Sequence, residues 1–210
     1  MNTQSDRPIL GISMGDPAGI GPEIVIKSLA DPEILNLCTP VVLGDFKILK
    51  QADFNYKILQ KLVITDDLIS DSSNFPKGFL LQLSSLNPDV TKLGHPTPET
   101  GRAMETYINT GVDLALSGAI DALVTGPITK TGLKLAGSPF HGHTELIAHK
   151  TGTENFAMMM AGPRLKVVLT TIHIPLSQVP GRLSSMEITR IINLTRETLI
   201  TRFGIPSPRL

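Results

Sequence analysis

The chain has 210 residues, of which 41% are hydrophobic, and 19 basic and 19 acidic side chains give it a formal net charge of zero. This length suits one or two domains with a proper core, and the charge balance gives no support to a nucleic-acid-binding face or an acidic-membrane surface. Cys38 is the single cysteine, which excludes a disulfide framework within one chain and favours a reducing compartment. Residues 1–8 contain no apolar signal core, and no apolar run approaches membrane-spanning length. We therefore expect a soluble, cytoplasmic α/β protein with no nucleic-acid or membrane partner.

Short apolar runs alternate along the chain with helical patterns. The predicted strands are Ile9–Ser13, Val41–Gly44, Lys61–Ile64, Phe79–Leu83, Ala122–Thr125, Ala157–Ala161 and Lys166–Thr171. The predicted helices are Pro22–Ala30, Asp45–Ala52, Pro98–Ser117, Thr129–Leu135, Glu145–Lys150 and Ser185–Arg202. Alternation of this kind favours a mainly parallel sheet with helices on its faces. The polar stretch Asp66–Gly78 is predicted to be an exposed loop.

The first predicted strand runs into a glycine-rich turn. Gly15–Glu23 reads Gly-Asp-Pro-Ala-Gly-Ile-Gly-Pro-Glu, in which Pro22 and Glu23 suit the start of a helix. A strand, a glycine turn and a helix N-terminus together form a common anion-binding arrangement, and the glycines let the backbone stand close to a ligand. The spacing is neither the dinucleotide fingerprint nor a Walker loop. A tight β–α turn without a ligand is therefore the alternative interpretation.

Another strand-to-helix turn follows the fifth predicted strand. Thr125, Gly126 and Pro127 lead there to Lys130, whose ammonium group is available for a phosphate or carboxylate. A turn that carries a solvated lysine is the alternative.

The segment Gly142-His143-Thr144-Glu145 stands at the entry of the next predicted helix. An imidazole, a hydroxyl and free helix N–H groups converge at such a position, and together they suit a phosphate or carboxylate. The alternative is structural, with Thr144 as the N-cap of the helix and His143 as a surface histidine.

His173 follows the last predicted strand, in Thr170-Thr171-Ile172-His173-Ile174-Pro175. We expect Val167–Thr171 to be a buried strand, and ligands in open α/β sheets gather beyond the carboxyl ends of strands. A histidine there is suited to bind a metal or to act as an acid or base. The alternative is a packed, hydrogen-bonded histidine. The nearby run Met158–Met160 is most simply core packing.

The last predicted helix has clear boundaries. Ser184-Ser185-Met186-Glu187 is a capping-box pattern, and Gly204 is suited to end the helix. In an alternating α/β protein such a helix should lead into another strand. We therefore interpret the chain as short at its C-terminus.

Taken together and in this order, four of these motifs resemble the 4-hydroxythreonine-4-phosphate dehydrogenase family. They are Gly15–Glu23, Thr125-Gly126-Pro127 with Lys130, Gly142–Glu145 and Thr170–His173, and the resemblance extends from Ile9 to Leu210. It implies a fold like that of isocitrate and isopropylmalate dehydrogenases, with two α/β lobes, a cleft and a homodimeric assembly. The whole of this chain would then be the N-terminal portion of such a dehydrogenase, with no internal boundary evident.

The same resemblance implies an NAD-dependent oxidation. Its substrate would be 4-phosphooxy-L-threonine, and loss of carbon dioxide would give 3-amino-2-oxopropyl phosphate for pyridoxal phosphate synthesis. Matched residue by residue, His143 and Thr144 correspond to substrate-binding positions, and His173 corresponds to a ligand of a divalent metal such as zinc, magnesium or cobalt. The resemblance assigns no residue of this chain to catalysis or to NAD.

Members of that family continue well beyond this length. The further part brings Asn-Pro-His-Ala-Gly-Glu, Asp-Gln-Gly and Asp-His-Gly-Thr segments, which supply further metal histidines, substrate contacts and much of the cofactor site. Two alternatives are therefore kept. One is a related dehydrogenase that acts on 4-phospho-threonate or 4-phospho-erythronate, and the other is an inactive phosphate-binding fragment.

Overall fold

A computed structural model describes residues 7–53, 57–66, 78–172 and 174–210. The chain forms two compact units, Met1–Gly152 and Thr153–Leu210. The predicted loop Asp66–Gly78 lies almost wholly outside the described residues, and so does His173.

The first unit is built on a parallel sheet. Its strands among the described residues are β1 (Ile9–Ser13), β2 (Thr39–Gly44), β3 (Val63–Thr65), β4 (Phe79–Gln82) and β5 (Ala122–Thr125). They are ordered β3-β4-β2-β1-β5, and every pairing is parallel. All six residues of β2 are buried, as expected for a central strand that is covered on both faces. The prediction of an α/β fold with a parallel sheet is confirmed.

Six helices of this unit lie in the part of the chain that the structure describes. They are α1 (Gly21–Ala30), α2 (Pro32–Leu37), α3 (Phe46–Ala52), α4 (Pro98–Leu116), α5 (Lys130–Ala136) and α6 (His143–Lys150), and a 3-10 turn covers Leu59–Lys61. The larger core packs buried side chains of α1, α3 and α4 against β2 and β4, whereas a smaller cluster joins α4 to α6 through Ile108, Val112 and Leu146.

Helix α4 shows how local sequence sets the element boundaries. The Thr97 hydroxyl accepts a hydrogen bond from the Thr100 amide, the Thr100 hydroxyl accepts one from the Thr97 amide, and Pro98 occupies the first turn. Gly118, with φ of 75°, follows the last residues of the helix. The predicted start at Pro98 is confirmed, and the end lies within a residue of the prediction.

Helix α2 is absent from the predicted set. The signals for its start are in the sequence, because Asp31 accepts a hydrogen bond from the Glu33 amide and Pro32 follows it. However, α2 has only six residues and buries none of them, so it is too short to show the apolar periodicity from which a helix is predicted.

The second unit contains strands β6 (Met158–Ala161) and β7 (Lys166–Leu169), helices α7 (Val179–Arg182) and α8 (Ser185–Thr201), and a 3-10 turn at Leu176–Gln178. Its two strands form an antiparallel pair. The prediction of a buried strand over Val167–Thr171 is therefore wrong. The strand ends at Leu169, Val167 is 37% exposed, and a two-stranded ribbon has no further strands to cover it. Met160, assigned to the core, is 55% exposed.

Candidate functional site

The site is placed by the position of β1 in the sheet. The chain passes from β1 to β2 on one side, whereas β5 pairs with β1 on the other. A reversal of this kind opens a crevice beyond the carboxyl ends of the two strands, where ligands of open α/β sheets bind. The turns after β1 and after β5 both lie at this edge.

These two turns are in direct contact through glycines. Gly15 has φ of +78°, and a Cβ atom on it would overlap the carbonyl oxygen of Pro127. A Cβ on Gly126 would stand 2.6 Å from the carbonyl oxygen of Ser13. The space beside Gly15 is thus filled by protein backbone, whereas the sequence suggested a ligand there.

Asp16 ties the two turns together and is only 2% exposed. Its Oδ1 accepts a hydrogen bond from the Ala18 amide (2.8 Å), and its Oδ2 accepts one from the Thr129 hydroxyl (2.7 Å). Its own amide donates to the carbonyl oxygen of Pro127 at 2.8 Å. The sequence analysis did not single out Asp16 or Thr129. An aspartate in a tight turn and a threonine before a helix are local signals, but nothing local shows that the two meet.

Helix α6 begins at the same edge, with Gly142 as its N-cap and no side-chain hydrogen bond to the cap. His143 is therefore the first helical residue and Thr144 the second. The alternative in which Thr144 caps the helix is wrong, because Thr144 lies two residues after the N-cap, Gly142. The first N–H groups of α6 are left without a side-chain acceptor, which makes this terminus suitable for an anion.

The His143 imidazole is the most unusual side chain at this terminus. Its Nε2 atom is buried and has no hydrogen-bond partner among the described residues. Burial lowers the pKa of His143 below its ordinary value, and a hydrogen bond to the Gly126 backbone offsets part of that effect. Buried polar atoms are rarely left unpaired, so Nε2 is the atom at this edge for which a ligand is the natural explanation.

Helix α6 is held firmly against α4. Lys150 forms an ion pair with Asp113 at 2.8 Å, and the Ser138 hydroxyl donates to Glu105 at 3.1 Å in the loop before the helix. Leu146 is 1% exposed between the two helices. His143 and Thr144 therefore stand on a packed helix rather than on a free loop.

Lys130 is the first residue of α5 and is exposed. It lies on the turn after β5, as the sequence indicates. Its role toward a phosphate or carboxylate stays a prediction.

A second polar network lies beyond the carboxyl ends of β2 and β4. Asp45 is fully buried, and it accepts hydrogen bonds from the α3 amides of Lys47 and Ile48 and from the Ser84 hydroxyl. Ser84 also contacts the buried Tyr107 hydroxyl of α4. Because these groups satisfy one another, this network reads as structural. The sequence predicts Asp45 as the first residue of a helix, whereas it is the N-cap of α3, and it predicts no role for Ser84 or Tyr107.

The predicted metal site is not built from described residues. No three His, Cys, Asp or Glu side chains in ranges 7–53, 57–66, 78–172 and 174–210 are grouped so that they could hold a metal ion. The metal-ligand assignment of His173 falls outside the described part and stays a prediction. Within that same part, no helix is both long and apolar enough to cross a membrane.

Several known proteins are similar to this chain over nearly its whole length. A curated relative from Desulforapulum autotrophicum, named 4-hydroxythreonine-4-phosphate dehydrogenase, is 53% identical over 207 residues, which are 98% of this chain and 60% of the relative. A relative from Oceanobacillus iheyensis, provisionally named a D-threonate 4-phosphate dehydrogenase, is 38% identical over 98% of this chain and 62% of its own length.

Solved structures of similar proteins carry the same family name. The crystal structure of a 4-hydroxythreonine-4-phosphate dehydrogenase from Klebsiella pneumoniae superposes with a TM-score of 0.80 at 33% identity, over 97% of this chain and 61% of that one. The chain thus spans about 60% of the length of the curated relatives it matches. The family model for the pyridoxal phosphate biosynthetic protein PdxA matches residues 36–210. The chain belongs to the PdxA family of pyridoxal phosphate biosynthetic proteins.

Proposed function

We propose that the N-terminus of α6 binds the phosphate group of a small-molecule substrate through His143 and Thr144. The buried, unpartnered Nε2 of His143, beside helix N–H groups that no side chain caps, is the observation that carries this proposal. Both residues are half-buried on a packed helix, and a site built on a rigid element holds its ligand with better geometry than a site on a loop.

The protonation of the imidazole decides how it binds. When Nδ1 carries the proton, a neutral His143 has a lone pair on Nε2 and can accept a hydrogen bond from a substrate hydroxyl. A phosphate dianion offers only acceptors, so it pairs with Nε2 of the imidazolium. A nearby negative charge raises the pKa of a histidine and so supplies that proton. Phosphate binding at this site is therefore coupled to proton uptake.

For a protein of this family with the full length of the curated relatives, we propose the NAD-dependent oxidation and decarboxylation of 4-phosphooxy-L-threonine to 3-amino-2-oxopropyl phosphate, in pyridoxal phosphate synthesis. The names of the relatives and the family match support this assignment. The proposal includes an isocitrate dehydrogenase-like cleft between two lobes, a homodimer and a cytoplasmic location.

The proposed cofactors are NAD and a divalent metal such as zinc, magnesium or cobalt. The described residues do not supply a metal site, and the glycine turn lacks the dinucleotide spacing. We therefore assign the hydride and metal chemistry to no described residue, and give this chain the task of binding and orienting the phosphorylated substrate.

A second substrate is favoured by the Oceanobacillus iheyensis relative, whose name refers to D-threonate 4-phosphate. That compound carries a hydroxyl where 4-phosphooxy-L-threonine carries an amine. Both share the phosphate, so the α6 site accepts either, and the choice rests on groups that recognise the amine. Rates of NAD reduction with each compound, measured on the protein extended to the length of its relatives, decide between them. Binding without turnover in that extended protein would favour the inactive phosphate-binding alternative.

Titration of the 210-residue chain with 4-phosphooxy-L-threonine tests the phosphate site directly. We expect amide shifts in NMR spectra to be largest at His143 and Thr144, and unphosphorylated L-threonine to leave them unchanged. His143→Ala or Thr144→Ala should weaken binding by about tenfold to a hundredfold, the range of a charge-assisted hydrogen bond. His149→Ala, at the other end of the same helix, serves as the matched control. Equal affinity in all three variants would overturn the assignment.

A further inference from the structure

The turn after β5 leads into a charged side chain that the proposed phosphate site does not use. Lys130 is the first residue of α5, is exposed, and forms no ion pair with any residue that the structure describes. The proposed substrate carries a carboxylate at the end opposite its phosphate, and His143 and Thr144 leave that end without a partner. A charged donor forms the strongest hydrogen bonds to a carboxylate, so Lys130 is suited to this second end.

The backbone that carries Lys130 is fixed at the crevice. The hydroxyl of the preceding residue, Thr129, donates to Asp16 at 2.7 Å, and the Asp16 amide donates to the carbonyl oxygen of Pro127 at 2.8 Å. Asp16 is only 2% exposed, so this anchor is buried. The lysine therefore starts from a main chain that is tied to the turn after β1, and a binding group on such a rigid support is well placed to hold a ligand.

The segment between β4 and α4 brings a second donor, His95, to the same place. The Gly94 amide donates to the carbonyl oxygen of Ala18 at 2.7 Å, and a Cβ atom on Gly132 would lie 3.7 Å from the Cβ of Pro96. His95 lies between these two contacts, next to the turn after β1 and to the first turn of α5. Its imidazole is exposed, and an imidazole carries an N–H donor in both its neutral and its charged form.

Packed side chains connect this place with the start of α6. Ile128 lies two residues before Lys130 and packs against the smaller core cluster, which contains Leu146 of α6. Leu146 follows His143 by three residues, so the two side chains share one face of the helix. The turn that carries Lys130 and the helix that carries His143 are thus joined through one apolar cluster of the first unit.

We propose that Lys130 and His95 bind the carboxylate of the substrate whose phosphate is bound at the N-terminus of α6. Lys130 supplies the charge and His95 an N–H donor, and the carbon chain lies across the crevice beyond β1 and β5. The inference rests on the proposed phosphate site and adds the groups that orient the substrate in it. Because 4-phosphooxy-L-threonine and D-threonate 4-phosphate both have two anionic ends, this pair of residues favours doubly anionic compounds without reading the amine.

The test uses two ligands that differ only in the carboxylate, 4-phosphooxy-L-threonine and 3-amino-2-hydroxypropyl phosphate. Calorimetric titration of the 210-residue chain gives the Kd of each. Lys130→Met removes the charge but keeps a long side chain, Lys130→Arg keeps the charge, and His95→Ala removes the imidazole. Lys134→Met is the matched control, because Lys134 is an exposed lysine one turn further along α5.

The parent chain should bind 4-phosphooxy-L-threonine more tightly than the ligand without the carboxylate. Lys130→Met should reduce this preference about tenfold, as expected for one lost charge-assisted hydrogen bond, by weakening the binding of 4-phosphooxy-L-threonine alone. His95→Ala should reduce the preference to a smaller extent, whereas Lys130→Arg and Lys134→Met should retain it. Since the three replaced side chains are exposed, every variant should unfold at the temperature of the parent chain.

An unchanged affinity of Lys130→Met for 4-phosphooxy-L-threonine would overturn the proposal, and so would an equal loss of affinity for both ligands. The phosphate site has a separate readout, because His143→Ala should weaken both ligands by the same factor. If His143→Ala binds both ligands like the parent chain while Lys130→Met still lowers the preference, the phosphate role fails and the carboxylate role stands. If the parent chain binds neither ligand, both roles fail.

Discussion

The Tyr107 hydroxyl lies 2.6 Å from the Ser84 hydroxyl, which itself donates to Oδ2 of Asp45 at 2.8 Å. Since the single Ser84 hydrogen goes to Asp45, Tyr107 is the donor to Ser84. Burial of Tyr107 raises its pKa far above the ordinary value; the Ser84 bond opposes this rise and the Asp45 charge adds to it. This chain of three side chains fastens α4 to the carboxyl edge of the sheet.

Tyr107→Phe should lower the free energy of unfolding by about 1–2 kcal/mol, because it removes the donor and leaves the partly buried Ser84 oxygen with one partner fewer. Denaturant unfolding of the 210-residue chain measures the loss. Ser84→Ala and the double variant complete a double-mutant cycle with Tyr107→Phe. If the two side chains interact as described, the double variant loses less than the sum of the two single losses. Additive losses would contradict the network.

Gly126→Ala should destabilise the chain severely. A Cβ there would stand 2.6 Å from the Ser13 carbonyl oxygen, so the contact between the two turns must open. Gly181→Ala is the control, since a Cβ on Gly181 meets nothing within 4 Å and its φ is ordinary. We expect a fall of more than about 2 kcal/mol for the first and no loss for the second, measured by denaturant unfolding. Equal stability of the two variants would show that the turns are not packed as described.

The lowered pKa of His143 predicts how the free energy of unfolding depends on pH. Burial lowers that pKa in the folded chain, so the unfolded chain takes up a proton first as the pH falls. The contribution of His143 to stability is therefore complete above about pH 6.5, the ordinary histidine value, and is lost as the pH falls below it toward the lower folded value. Free energies of unfolding between pH 5 and pH 8 should show this slope in the parent and in His149→Gln, but less of it in His143→Gln. An unchanged slope in His143→Gln would assign it to another group.

Burial lowers the pKa of His143, whereas phosphate binding should raise it. A bound dianion raises the pKa of His143, so binding of 4-phosphooxy-L-threonine near pH 7 should take up a proton. Calorimetric titration in two buffers of different ionisation enthalpy measures that uptake. Thr144→Ala should bind more weakly yet retain the uptake, whereas His143→Gln should lose it. Binding heats that do not depend on the buffer would favour a neutral imidazole that contacts a substrate hydroxyl.

Dehydrogenase activity of this chain alone is expected to be low. The chain spans about 60% of its relatives' length, and its described residues do not group three metal-binding side chains. NAD reduction with 4-phosphooxy-L-threonine and added Zn²⁺ or Mg²⁺ should fall far below that of a longer relative. In a protein extended to the relatives' length, His173→Ala should abolish metal content and turnover and leave thermal unfolding unchanged. Turnover by the 210-residue chain comparable to that of a longer relative would contradict the first expectation, and a metal-replete, destabilised His173→Ala protein would contradict the second.

The sequence by itself determined the features that depend on near neighbours along the chain. The apolar runs located β1, β5 and the core of β2, and the caps at Thr97 and Ser184 located the starts of α4 and α8. These signals are local because a cap or an apolar stripe involves residues only a few positions apart. The order of the motifs also indicated the family before any geometry was known.

Only the tertiary structure decided which of these local pieces meet. Asp16 and Thr129 are 113 positions apart, and they touch because β5 adds to the free side of β1, a strand order that no local pattern encodes. Antiparallel pairing of β7 with β6 likewise overturned the buried-strand prediction. The unpartnered Nε2 of His143 depends on burial, which the fold produces and the local sequence does not show. Partner choice across a sheet is set by global packing, and for that reason the sequence could place His143 at the start of α6 but could not show which distant residues bury it.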